Sequence, residues 1–156
     1  MNKNKNNLLS LYVHWPYCES KCPYCDFNSH VNESVQPAHW INSYTNQLYA
    51  MKEQLLRHDV GTKKLNTIFF GGGTPSLMPL EIIESILKTS FDLFGFKEKI
   101  EISLEANPSS YEKDKFCDLK RIGINRLSIG VQSLNDTNLK LLGRLHNTED
   151  AHVAVD

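Results

Sequence analysis

The sequence lacks an excess of charge of either sign: 17 lysines and arginines stand against 18 aspartates and glutamates, a formal net charge of −1. Without a basic field there is no counterion release to hold a nucleic acid backbone, so nucleic acid is excluded as the expected partner. A long apolar run is also missing. Leu8 to Val13 is short and broken by Ser10, and Met1 to Asn7 is rich in Asn and Lys. We expect neither a secretory leader nor a span of about 20 apolar residues. Cysteine is scarce too, with four in 156 residues, three of them within eight positions. That is no disulfide framework, and none is needed, because roughly 150 residues can bury about two-thirds of their unfolded surface. The expected setting is the cytoplasm, where thiols stay reduced and available to a metal or to chemistry.

What is present is an alternation of short apolar runs with longer amphipathic stretches. Leu9 to Trp15 reads as a strand, and Pro16 to Gln36, which holds the three clustered cysteines, as a long loop. Trp40, Ile41, Tyr44, Leu48, Met51 and Leu55 recur at helical spacing behind Pro37. Thr67 to Phe70 predicts a fully buried strand running into the glycines 71–73. A helical stripe from Leu80 to Phe94 follows, then a strand over Ile100 to Leu104 and a helix from Tyr111 to Ile122. Arg126 to Val131 alternates as a strand, Asn135 to Gly143 reads as a helix, and Asn147 or Thr148 caps another.

Strand, loop and helix repeated four times predict an α/β fold of parallel βα units with right-handed crossovers. Both an open doubly wound sheet and part of a βα barrel fit, and in either the chemistry belongs at the carboxyl ends of the strands. The cysteine loop, the glycine run, Glu105 and Gln132 all fall there. A barrel needs more than four strands, so the pattern predicts the amino-terminal portion of something larger. Residues 1–10 are expected as a polar segment, and 11–156 as a core domain incomplete at its carboxyl end.

Cys18, Cys22 and Cys25 form a Cys-x3-Cys-x2-Cys run. Three thiolates on one irregular loop suit an iron–sulfur cluster that leaves one iron without a protein ligand. A zinc site of three cysteines and one histidine, completed by His14 or His30, is the alternative. Cys117, between Phe116 and Leu119 in a helical pattern, is expected to pack as a small hydrophobe. Gly71 to Gly73 suits a tight turn or a close backbone approach to a ligand. It breaks the dinucleotide spacing and lacks a phosphate-loop lysine. Gln132 offers both a donor and an acceptor, and Arg144 suits a carboxylate or the carbonyls of a helix end.

Leu11 to Cys18 running into Lys21 to His30 resembles the signature of the radical S-adenosylmethionine (SAM) superfamily. The similarity is to the branch that holds oxygen-independent coproporphyrinogen III oxidases and haem chaperones of the HemW type. Phe69 to Ser76, Leu104 to Pro108, Arg126 to Ser133 and Leu141 to His146 match that branch in order. The resemblance implies a partial (β/α)6 barrel, of which about four units are present. It further implies a [4Fe–4S] cluster on Cys18, Cys22 and Cys25 whose remaining iron chelates SAM. Reductive cleavage of SAM then gives methionine and a 5′-deoxyadenosyl radical. Tyr12, Tyr24, Gly72, Gly73, Thr74, Glu105, Gln132 and Arg144 inherit contacts with SAM, while His14 and His30 are expected to be structural.

The oxidases typically carry another cysteine two residues after the third ligand, where this sequence has Phe27. That departure favours the chaperone branch. The implied partners are haem, a one-electron donor and a membrane-linked haem acceptor; an oxidase would instead take coproporphyrinogen III. A shortened chain that binds SAM weakly and does neither is the third expectation.

Overall fold

The structure, a computed structural model, describes residues 8–31, 34–58, 63–108 and 110–155, with side chains described for all of these except 110–114. Four strands form the main sheet: β1 (Leu8–Trp15), β4 (Lys64–Gly72), β5 (Phe96–Ala106) and β6 (Arg126–Ile129). They lie in the order β1-β4-β5-β6, every pair parallel. The crossovers carry α1 (Pro37–Arg57), α2 (Leu80–Phe94) and α3 (Ser110–Arg121), and α4 (Asp136–Leu141) and α5 (Thr148–Val155) follow β6. Among the described residues no helix is long and apolar enough to cross a membrane.

Strand alternation divides the sheet into two unlike faces. Val13, Trp15, Ile68, Phe70, Ile102, Leu104 and Ala106 enter the core, where they meet Leu48 of α1 and Ile82, Ile83, Ile86 and Leu87 of α2. The opposite face carries Ser10, Tyr12, Thr67, Phe69, Glu101, Ser103 and Glu105. Its side chains are tied across strands, with Thr67 Oγ1 donating to Ser10 Oγ at 2.8 Å and Arg126 Nη1 to Ser103 Oγ at 3.2 Å. The expectation that Thr67–Phe70 is buried on both faces is therefore corrected. Only Ile68 and Phe70 are in the core, because Thr67 and Phe69 stand on the polar face, where Phe69 stacks on Tyr12.

The cysteine segment has more structure than its lack of period indicates. β2 (Tyr17–Cys18) and β3 (His30–Val31) pair parallel and close the loop at its base, with His30 N donating to Pro16 O at 2.7 Å. Strands of two residues leave no periodic signal. β5 begins at Phe96, before the expected Ile100; Lys97, Glu98 and Lys99 are exposed and hide its first residues from the apolar pattern. β6 stops at Ile129, short of Val131, as the chain turns so that Gly130 N donates to Ala106 O at 2.9 Å.

Cys117 is also corrected: it is exposed, not packed. On α3 the inward stripe is Leu119, fully buried, with half-buried Phe116 one turn before it, which leaves Cys117 on the solvent side. The helix start at Asn147 takes the form of a reciprocal cap. Asp150 N donates to Asn147 Oδ1 at 2.9 Å, and Asn147 N donates to Asp150 Oδ2 at 3.0 Å.

One bond ties α1 to the end of β1, just before the cysteine loop. Tyr44 Oη donates to His14 O at 2.6 Å, and burial, with Tyr17 nearby, holds the Tyr44 phenol in its neutral form. Tyr44→Phe leaves that carbonyl without its donor. It is expected to cost about 1 kcal/mol, measured as a lower urea midpoint with an unchanged slope.

Candidate functional site

At the carboxyl ends of β1, β4, β5 and β6 lies a cavity of about 360 Å³. Cys18, Cys22 and Cys25 line it from one side, all three as free thiols. Gly73, Thr74, Glu105, Gln132 and Arg144 line it from the strand ends. Residues more than a hundred positions apart thus converge on one mouth, as expected for active sites of parallel α/β folds.

The glycine run is placed by backbone pairing. Gly73 N donates to Trp15 O at 2.6 Å and Thr74 N to Tyr17 O at 2.8 Å, so the β1–β4 pairing continues past the strand ends into β2. A Cβ on Gly73 would lie 2.5 Å from the Tyr17 carbonyl oxygen, which is why only glycine fits there. Gly72 adopts φ +116, and its N–H donates to Glu105 Oε2 at 3.2 Å. All three N–H groups from Gly72 to Thr74 are therefore engaged within the protein. What the run offers a ligand is space and the Thr74 hydroxyl.

Two of the expected site residues stand outside the cavity wall. Tyr12 is on the polar sheet face behind Glu105, its hydroxyl 3.3 Å from His14 Nδ1, and burial and the Glu105 carboxylate both push its phenol up. Gly72 likewise touches Glu105 from behind. Tyr24 is half-exposed at the rim beside Cys22 and Arg144. Desolvation raises its phenol, and the guanidinium pulls the other way.

Gln132 has φ +65, a left-handed backbone that side-chain-bearing residues rarely adopt and that tends to mark functional segments. The loop around it is braced by Val131 O, which accepts from Ser133 N at 2.8 Å and lies 3.1 Å from His146 Nε2. His146 is buried, and desolvation lowers its pKa; because a carbonyl only accepts, the bond to Val131 O takes its proton from Nε2.

The turn after α4 is made at Gly143, one residue past the C-cap Leu142, with φ +66, where a Cβ would meet Pro23 Cδ at 2.8 Å. The close approach brings Arg144 into the cysteine loop. Its Nη1 donates to Cys22 Sγ at 3.3 Å and its Nη2 to Asn107 Oδ1 at 2.6 Å. Arg144 Nε is buried and has no hydrogen-bond partner among the described residues.

The histidines proposed to complete a zinc site do not reach the thiols. His14 Nε2 lies 3.1 Å from Asn28 O and its Nδ1 faces Tyr12, while His30 is exposed and neither ring lines the cavity. Among the described residues no three Cys, His, Asp or Glu side chains close on a point that would hold a single ion. Three thiols on one side of a cavity of this size suit a larger metal group. Asn107, Ser128 and His146 are among the wall residues that sequence reasoning left without a role. All three stood inside recognised motifs, but only the folded contacts give Asn107 and His146 their partners.

Residues 12–156 match the model of the radical SAM superfamily. The chain is 44% identical over 148 residues to the heme chaperone HemW of Haemophilus influenzae, covering 95% of this chain and 39% of that protein. It is 41% identical to the heme chaperone HemW of Escherichia coli, over 92% of this chain and 37% of the relative. To the mitochondrial radical S-adenosyl methionine domain-containing protein 1 of Bos taurus it is 39% identical, over 91% of this chain and 31% of the relative. Among solved structures the coproporphyrinogen III oxidase HemN of Escherichia coli superposes with a TM-score of 0.81 at 28% identity, over 95% of this chain and 33% of that one. The chain therefore spans between about a third and two-fifths of these relatives' length and corresponds to the amino-terminal part of the HemN fold. The family match over nearly the whole chain and the parallel sheet with its cysteine-lined mouth agree: this protein belongs to the radical SAM superfamily, in the HemN-like branch close to HemW.

Proposed function

We propose that the cavity holds a [4Fe–4S] cluster on Cys18, Cys22 and Cys25 with SAM beside it, and that the protein serves as a haem chaperone of the HemW kind in the cytoplasm. The observation that carries the cofactor reading is the presence of all three free thiols on one cavity wall, facing Thr74, Glu105, Gln132 and Arg144. When bound, such a cluster supplies an electron to the sulfonium of SAM. The protein's own part is to bind and orient. The Glu105 carboxylate suits the ligand's ammonium, and the Gly72 N–H holds it from behind, with Tyr12 on the same sheet face. The Arg144 guanidinium suits a carboxylate. Thr74 and Gln132 supply polar contacts, Gly73 leaves room, and Tyr24 covers the rim.

Similarity to HemW relatives at about 40% identity supports the chaperone reading, as does Phe27. Phe27 is 59% exposed beside the cavity, two residues after Cys25, where the oxidases carry a further cysteine. Haem is then the cargo, a one-electron donor feeds the cluster, and a membrane-linked protein accepts the haem. The likeness to HemN supports a second reading, oxidative decarboxylation of coproporphyrinogen III.

Anaerobic reconstitution followed by metal analysis tests the cofactor. Wild type is expected to hold iron and sulfide in equal amounts without zinc. Cys18→Ser, Cys22→Ser and Cys25→Ser should each lose most of the iron, whereas Cys117→Ser should keep it. Zinc in place of iron would remove the reading. Haem titration by absorbance, run beside porphyrin product analysis with SAM and a reductant, separates the two functions. Saturable haem binding without decarboxylated product is expected, and product without haem binding would establish the oxidase. Gly73→Ala forces a Cβ onto the Tyr17 carbonyl. It is expected to destabilise the fold by about 1–3 kcal/mol and to lower iron retention, both read on the same samples by denaturation and metal analysis.

A further inference from the structure

Arg144 reaches Cys22 through a guanidinium that is fixed elsewhere. Its Nη2 donates to Asn107 Oδ1 at 2.6 Å and to Gly130 O at 3.0 Å, which engages both hydrogens of that nitrogen. A planar fork held at two points on one nitrogen cannot turn about its own axis, so Nη1 is aimed, and it meets Cys22 Sγ at 3.3 Å. Of the two anchors, Gly130 is a backbone carbonyl and Asn107 a side chain. Asn107 leaves the end of β5, and its amide is oriented by a second contact, with Nδ2 3.4 Å from Thr74 Oγ1. The shortest bond in this chain of contacts is the one from Arg144 to Asn107, as a bond from a cation to an amide oxygen should be.

We propose that Asn107 is a positioning residue: by fixing the Arg144 guanidinium it directs Nη1 to the Cys22 sulfur and so raises the electron affinity of a cluster held there. This rests on the cluster reading above. A cationic donor on a ligand sulfur favours the more negative, reduced state, and hydrogen bonds to the sulfurs are among the settings of a cluster's potential. Asn107 reaches the Cys22 sulfur through the Arg144 guanidinium.

The test is a reductive titration of the anaerobically reconstituted chain, without SAM, followed by electron paramagnetic resonance of the reduced cluster. Asn107→Ala is expected to lower the midpoint, so that at a fixed dithionite level the reduced fraction falls several-fold while iron content stays at wild-type level. Arg144→Ala should lower it as well. In the Arg144→Ala background the Asn107→Ala change should then add nothing, because its route to the sulfur is already gone. Asn107→Leu removes the oxygen while keeping the volume, and replaces the Ala variant if that one does not fold. A shift of equal size in both backgrounds, or none in either single variant at full iron content, would overturn the proposal. Iron and sulfide counts on wild type precede the titration, so absence of a cluster is recognised separately as failure of the underlying reading.

Discussion

The site depends on one close backbone approach, that of Gly73 to Tyr17. Without a side chain at residue 73, β4 continues alongside β1 beyond its end, and Gly73 N and Thr74 N take up the carbonyls of Trp15 and Tyr17. The base of the cysteine loop is thereby registered against the sheet, not merely tethered to it. The aromatic cluster of Trp15, Tyr17 and Trp40 backs this junction, with ring centroids 5.2–5.7 Å apart.

The second constraint is the division of labour between the sheet faces. The helices bury one face in an ordinary aliphatic core. The other is hydroxylated and charged, and ends in Glu105, whose carboxylate accepts from Gly72 N. A polar sheet face is costly unless its groups are paired, and here they pair with one another, across strands at Thr67–Ser10 and Arg126–Ser103 and along β5 at Ser103–Glu101. The acid at the mouth is held instead by the backbone N–H of Gly72.

Much of this was legible in the sequence because it rests on local pattern. The four strand–helix units, the cap at Asn147 and the placing of the cysteines, Thr74, Glu105, Gln132 and Arg144 at one end of the sheet follow from periodicity and turn residues. What was not legible depends on contacts between distant segments. The two-residue strands β2 and β3 exist only because each finds the other. Cys117 looked like packing because its neighbours are apolar, yet a rotation of about 100° per residue puts it on the far side of α3 from Leu119. Tyr12 and Gly72 lie behind the wall and not on it, a distinction that no motif encodes. Asn107 and His146 acquire partners only when β5, β6 and the segment after α4 come together.

The contact of Gly143 with Pro23, and of Arg144 with Cys22, joins positions separated by more than a hundred residues. The cysteine loop is made early by the ribosome, but the guanidinium that faces it emerges only with the turn after α4. Until then Cys22 lacks its contact with Arg144, and Pro23 its packing against Gly143. The cavity wall is thereby completed by the fourth βα unit, and a chain that stalls before that turn presents its cysteines without the guanidinium that faces them.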